Sequence, residues 1–294
     1  MLDVTGTNIL SSTDTTHVLA PAPAPLNPKV LVCAFCKMEN RYIMEWIEYY
    51  QKMGADHIVI YDNNEVDGER FEEVIPESLL NSYVTIVDYR GRQQTACQQQ
   101  VAAYTDCYKN RCKGYDWVTF LDIDEFFVDK RGRNIKQFLS DPLYSHANVI
   151  RINWKCYTDN NLERYDTRPV RERFTEPMPN CIKNVHYKSF FRTGIAGLMF
   201  PNVHYSSFVS FIYTADGDLI PYTSDTKLKR VSHNTAWIAH YCTKSMEEFI
   251  ECKIKRRGRG PGKTRLNEQF YWYYNIKTPE KEARLKKWIA NVKY

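Results

Sequence analysis

Several familiar signatures are missing from this 294-residue sequence. No stretch approaches the roughly 18 uninterrupted apolar residues of a membrane-spanning helix, which excludes an integral helical membrane protein. Glycine, at 12 residues, is far too sparse for a collagen-like chain. Nine cysteines, odd in number and irregular in spacing, fall well below the density of a disulfide framework. They read as mainly reduced thiols, which points to the cytosol. Met1 to Thr16 is polar and has neither a basic leader nor an apolar core, so no secretory signal is expected. No internal repeat is visible. Cys33-x-x-Cys36 has no second close pair to complete a four-ligand zinc site, and Cys33 lies within an apolar run, so packing is the plainer reading.

What remains is the composition of a globular protein, 43% hydrophobic and 26% charged, with a net charge of +5. The charge is uneven: Lys253, Lys255, Arg256, Arg257, Arg259, Lys263 and Arg265 crowd a segment without acids. A solvated loop, a phosphate-rich ligand, an anionic membrane surface and nucleic acid all fit such a run. No recognisable nucleic-acid-binding module accompanies it, so no nucleic-acid partner is expected.

Residues 1–28 are rich in Ser, Thr and Pro and read as a flexible tail. Val30 to Phe35 is an apolar run of strand length. Asn40 then stands as a helix cap before Ile43, Trp46, Ile47 and Tyr50, which share one helical face, and Gly54 ends that helix. The spacing predicts strands at His57–Tyr61, Tyr83–Asp88 and Trp117–Leu121. Helical segments are predicted at Arg70–Leu80, with Pro76 as a break, and at Gln93–Lys109. This alternation is that of an α/β protein with an open, mostly parallel sheet and helices on both faces. The second half is less regular and reads as a mixed α/β continuation. Pro279–Val292 is predicted as a basic amphipathic helix carrying Leu285, Trp288 and Ile289.

The most informative string is Trp117-Val118-Thr119-Phe120-Leu121-Asp122-Ile123-Asp124-Glu125-Phe126-Phe127. A buried carboxylate must be paired, protonated or bound to a cation. In open parallel sheets the C-terminal strand ends face the ligand crevice, where these acids would emerge. Residues i and i+2 of a strand lie about 6.8 Å apart, so one ion is not held directly by both unless the chain bends. Asp124 is therefore the expected direct ligand, with Asp122 acting through water or on sugar or ribose hydroxyls. Hard divalent ions, Mn²⁺ or Mg²⁺, suit such oxygens. The competing reading is a surface loop whose acids pair with Lys130 and Arg131.

Around this string the chain resembles metal-dependent GT-A fold glycosyltransferases, most closely glycosyltransferase family 92 and its bacterial relatives in the family 2 group. The resemblance rests on Cys36-Lys37-Met38-Glu39-Asn40, Glu45-Trp46-Ile47-Glu48-Tyr49-Tyr50, Gly54-Ala55-Asp56-His57 and Ile60-Tyr61-Asp62-Asn63. It continues through Gln100-x-x-Ala103-Tyr104-x-Asp106-Cys107, the Asp122-x-Asp124 string, Glu172-Arg173-Phe174-Thr175 and His240-Tyr241-Cys242-Thr243-Lys244-Ser245-Met246-Glu247-Glu248-Phe249, in order from about Val30 to Arg259. It implies a tail at 1–28, a catalytic domain at 29–265 (nucleotide-sugar half 29–128, acceptor-side half 129–265) and a helical extension at 266–294. It implies metal ligands Asp122, Asp124 and His240, with imidazole favouring manganese. Donor contacts fall to Glu39, Asp62, Gln100 and Asp122, with Lys188 and Arg192 as candidate diphosphate contacts or ordinary surface cations. The implied activity is inverting transfer from a UDP-sugar, galactose as a family-level guess, to a glycan or lipid-linked saccharide in surface polysaccharide synthesis.

Inversion needs a carboxylate base on the acceptor hydroxyl. Glu172 is the first choice, against an ion pair with Arg171 or Arg173, and Asp159 is the reserve. The loop after Trp154, Lys155-Cys156-Tyr157-Thr158-Asp159-Asn160-Asn161, departs from the glycine- and serine-rich acceptor loop common in the family. Trp154 is a candidate platform for a sugar ring, His204 reads as a core histidine, and Cys242 beside His240 reads as an ordinary thiol. The expected location is cytoplasmic, with peripheral contact at an inner membrane face through the basic C-terminal segment. The alternatives are a metal-dependent phosphoester hydrolase or nucleotidyltransferase, which also clusters carboxylates, and a basic nucleic-acid-binding protein.

Overall fold

The computed structural model describes residues 21–23, 25–80, 82–92, 94–207, 209–254 and 268–291. Ten strands form one curled, mixed sheet: β1 (Val30–Cys36), β2 (His57–Asp62), β3 (Val84–Asp88), β4 (Trp117–Phe120), β5 (Glu125–Asp129), β6 (Val149–Cys156), β7 (Tyr187–Arg192), β8 (Ile212–Thr214), β9 (Leu219–Ile220) and β10 (Ala236–His240). Their order is β3-β2-β1-β4-β7-β6-β10-β5, with β8 on β6 and β9 on β8. The first four strands are mutually parallel, and β7, β5 and β9 run against the rest.

The apolar run of β1 is buried on both faces, and its residues divide by parity, as the pleat requires. Val30, Val32 and Ala34 meet Ile43, Trp46, Ile47 and Tyr50 of α1 (Ile43–Lys52). Leu31, Cys33 and Phe35 meet Ala103 and Tyr104 of α2 (Ala96–Asp106). Each such large side chain contributes roughly 1.5–3 kcal/mol on burial. Gly54, at φ +84°, supplies the left-handed turn after α1. Helix α2 continues into a wider π-type turn at Cys107–Arg111.

The structure departs from the sequence reading at three points. Asn40 is not the cap of α1: the helix starts after Tyr42, and the Asn40 amide instead donates to the Arg70 carbonyl. The Arg70–Leu80 helix shrinks to a single 3₁₀ turn at Phe71–Glu73. Pro76 lacks an N–H and disfavours helical geometry in the residue before it. The third change is β5, which follows the acids of the Asp122 string after only a tight turn.

Further helices complete the fold: α3 (Ile135–Leu139), α4 (Val170–Arg173), α5 (Met246–Glu248), α6 (Glu268–Trp272) and α7 (Pro279–Ala290). Leu285 of α7 packs with Met246, Phe249, Ile250, Ile254 and Tyr271, and Trp288 and Ile289 lie against the same cluster. The apolar face of α7 is therefore spent within the protein. Lys281, Arg284 and Lys286 are ion-paired to Asp159, Glu163 and Glu282. Residues 255–265 of the basic run lie outside the described residues. Among the described residues no helix is long and apolar enough to cross a membrane.

Helix α4 is tied to α5 by a buried bidentate pair, Arg173 to Glu248 at 2.7 and 3.0 Å. Burial alone would raise the Glu248 pKa, but the hydrogen bonds from Arg173 and Ser245 outweigh it and hold it below its ordinary value. Glu248 thus contributes stability above the unfolded-state pKa of about 4.3, and this is lost as pH falls through the lower folded value. Glu248→Gln should flatten that acid limb in a urea-unfolding series. Arg173→Met should cost about 3–5 kcal/mol by stranding a buried carboxylate.

Candidate active site

The site forms where β4 ends. Leu121 still bonds to the Cys33 carbonyl, and the chain then turns, with the Glu125 N–H donating to the Asp122 carbonyl at 3.0 Å. This turn supplies the bend that an extended D-x-D lacks. Helix α1 holds it from below. Trp46 Nε1 and the Tyr50 hydroxyl both donate to the Glu125 carbonyl, at 3.2 and 3.0 Å. Strand β5 then runs antiparallel to β10 with Glu125 opposite His240, while β10 sets His240 beside Cys156 of β6. The Tyr241 N–H donates to the Asp124 carbonyl at 2.9 Å, closing the connection.

Asp124 is 3% exposed, and its two oxygens have different neighbours. Oδ1 lies 3.6 Å from His240 Nε2, and Oδ2 lies 2.7 Å from Lys253 Nζ. Burial opposes the Asp124 charge, but Lys253, His240 and Lys244 together hold its pKa below the ordinary range. Burial pushes His240 down to about 4 against the pull of Asp124, which leaves a neutral ring at pH 7. Its Nδ1 is buried without a hydrogen-bond partner among the described residues. Ligating atoms of Asp124, His240 and Cys242 all lie within 4.8 Å of one another. Burial pushes the Cys242 thiol up to about 11, so it is protonated at neutral pH.

Asp122 is treated differently. Its side chain is 39% exposed, and Oδ2 lies 3.0 Å from Lys188 Nζ. The same ammonium lies 3.0 Å from Glu125 Oε2, and Glu125 also accepts the Asp122 N–H at 2.9 Å. Burial, with the charges of Asp122 and Asp124, raises the Glu125 pKa against the opposing pull of Lys188. Lys188 remains protonated, because Asp122 and Glu125 overcome its burial.

These groups border a cavity of about 330 Å³ whose lining includes Glu39, Asp122, Asp124, Trp154, His240 and Lys253. Trp154 packs its ring 4.3 Å from that of His240. His204 lies behind Trp154, with burial lowering its pKa to about 4. Gln100 does not line the cavity and donates to the Tyr104 hydroxyl at 2.8 Å. Asp62 ends β2, fully buried, with Arg90 at 3.6 Å and the Asn64 N–H on Oδ1.

Arg192 is not brought to the site. It pairs opposite Trp117 at the start of β4 and donates to the Ser145 carbonyl. Glu172 is exposed on α4 and does not line the cavity. Asp159 is buried and held by Lys281 at 2.6 Å and by the Tyr271 hydroxyl, so its carboxylate is a structural hub joining the loop after β6 to α6 and α7. Lys253 and Glu125 are site groups to which sequence reasoning gave no role, and Lys188, expected at a diphosphate, is instead held between Asp122 and Glu125. The only local signal for Lys253 was its place at the head of the basic run.

A parallel four-strand half that delivers this acidic turn against a histidine from a later strand defines a GT-A-like glycosyltransferase fold. The chain belongs to glycosyltransferase family 92, whose family model matches residues 29–281. It is 29% identical over 131 residues to a glycosyltransferase family 92 protein of Ricinus communis, covering 44% of this chain and 22% of that one. A family 92 protein of Oryza sativa subsp. japonica is 33% identical over 95 residues, 32% of this chain and 15% of the relative. The chain thus spans less than a quarter of the length of these relatives. Among solved structures it is similar to S. aureus TarS, at a TM-score of 0.40 and 12% identity over 76% of this chain and 38% of that one. A shorter TarS structure, residues 1–349, gives 0.34 and 15% over 56% and 47%. Both are too distant to bear on the site.

Lys281→Met should strand the buried Asp159 and lower stability by about 3–5 kcal/mol in chemical denaturation. Asp159→Asn combined with it should recover part of that loss, as expected for a pair whose role is docking α7.

Proposed function

We propose that this glycosyltransferase is a metal-dependent, inverting enzyme that moves a hexose, galactose as the working choice, from a UDP-sugar to a glycan or lipid-linked saccharide in surface polysaccharide synthesis. The observation that carries this reading is the buried Asp124–His240–Cys242 cluster at the wall of the cavity where β4 and β10 end. Its donor set fits a divalent cation: Asp124 offers a hard oxygen, and His240 offers an imidazole without a hydrogen-bond partner among the described residues. Oxygen with imidazole favours Mn²⁺ over Mg²⁺. Such a cation supplies Lewis-acid stabilisation of the leaving diphosphate.

The chain's own groups do the rest. Asp122, with Oδ2 on Lys188, keeps Oδ1 to accept from ribose or sugar hydroxyls. Glu39 and Asp62 belong to the nucleotide end, and Gln100 supports it through Tyr104. Trp154 gives the sugar an aromatic face. Asp159 is engaged by Lys281 and Glu172 stands outside the cavity, so neither of the two expected bases faces the place where an acceptor hydroxyl would be deprotonated. Peripheral contact with an anionic inner membrane face falls to residues 255–265, since α7 uses its apolar face internally. A two-metal hydrolase or nucleotidyltransferase is disfavoured because Asp122 and Glu125 share the buried Lys188, whereas two metals need further free acidic ligands.

Thermal unfolding tests the reading. With Mn²⁺ and UDP near 100-fold above their dissociation constants, Tm should rise by about 5 °C or more. Asp124→Asn should remove the manganese-dependent part of that rise and abolish UDP-sugar turnover. A wild-type protein that shows no shift with UDP and Mn²⁺ together overturns the donor assignment.

A further inference from the structure

The carboxylate that would hold a cation already has an ammonium on it. Lys253 Nζ lies 2.7 Å from Oδ2, closer than His240 comes to Oδ1, and Lys253 lines the same cavity. We propose that Lys253 is an exchangeable stand-in for the cation. It neutralises Asp124 when no ion is bound, yields that carboxylate to a divalent ion, and then carries its ammonium to the diphosphate of the donor. This rests on the reading of Asp124 as a cation ligand.

Three features separate Lys253 from the other lysine of the site. Lys188 is 6% exposed in its side chain, bridges two carboxylates at 3.0 Å each and does not line the cavity, so it is a fixed counter-charge. Lys253 is 18% exposed in its side chain, lines the cavity and holds Asp124 at 2.7 Å. Its backbone sits in the Phe249–Ile254 turn, anchored by Phe249, Ile250 and Ile254 in the cluster that also holds Tyr271 and Leu285. The backbone is thus fixed while a flexible four-carbon stem carries a point charge at its end, the form in which lysine binds phosphate.

Charge balance favours the exchange. A buried aspartate without a counter-ion is costly, so the ion-free site needs the ammonium. Once a divalent ion takes Asp124, that ammonium is surplus, and the dianionic diphosphate brings the charge that pairs it again. The site stays near neutrality in both states. The ion and the lysine compete for one carboxylate, whereas the lysine and the diphosphate attract one another.

The test titrates Mn²⁺ into wild-type protein, Lys253→Met, Lys253→Gln, Lys253→Arg and Asp124→Asn without nucleotide, reading free Mn²⁺ by electron paramagnetic resonance. Calorimetric titration of UDP at saturating Mn²⁺ follows. Removing the charge should tighten Mn²⁺ binding roughly tenfold and weaken UDP binding by a similar factor. Arg, which keeps the charge, should leave both near wild type. The Gln variant keeps a hydrogen bond to Asp124 and provides the same comparison if Met fails to fold. Unchanged or weaker Mn²⁺ binding in the neutral variants overturns the exchange, and the metal site itself then stands if Asp124→Asn alone loses the ion. Absence of Mn²⁺ binding in every protein overturns the metal site and the exchange together.

Discussion

Three carboxylates lie within four consecutive residues at the end of β4, and none can be left buried without a counter-charge. Their partners come from distant parts of the chain. Lys188 of β7 serves Asp122 and Glu125. Lys253 serves Asp124, with the neutral His240 ring at its other oxygen. Even the Glu125 carbonyl is claimed by Trp46 and Tyr50 of α1. The acidic turn therefore requires the second half of the chain to be folded onto the first. This gives a physical reason for one sheet running through both halves, with β7 joining β4 to β6 and β10 joining β6 to β5.

Strand direction decides which side chains reach the site. Lys188 and Arg192 lie on the same strand, four residues apart, a span of about 13 Å. Because β7 runs antiparallel to β4, Lys188 falls beside the acids, and Arg192 falls opposite Trp117 at the far end. Both cations had looked alike as diphosphate contacts, because composition and spacing say nothing about the direction in which a strand enters a sheet. A parallel β7 would have exchanged their places.

The parts legible in the sequence were those governed by local pattern. The apolar run of β1, the helical stripe of Ile43, Trp46, Ile47 and Tyr50, and the strand before Asp122 follow from side-chain periodicity, and the fold keeps them. Strand β5 was hidden because its Phe126-Phe127-Val128 core follows the acids after a turn too short to leave a polar break. Charge pairing was hidden for a different reason. Lys253 is 129 residues from Asp124, and Lys281 is 122 from Asp159. Asp159 looked available for proton transfer, whereas its carboxylate is consumed in docking α7. Nothing local distinguishes a carboxylate awaiting a substrate from one that already has its lysine.

The two aspartates of the triplet show how environment divides residues of one type. Asp122 is partly exposed and shares a buried lysine with Glu125, which makes that lysine hard to displace. Asp124 is buried, and its lysine is the more exposed of the two, at 18% against 6%, and lines the cavity. A cation that must displace an ammonium therefore gains more on Asp124 than on Asp122. Cys242 adds little to a hard ion, because burial keeps its thiol protonated and sulfur is a soft donor. On the proposed reading, the protein then supplies one oxygen and one imidazole, fewer ligands than a structural metal site uses. On that reading the oxygens of a diphosphate would supply the further ligands, so ion and nucleotide would bind better together than apart.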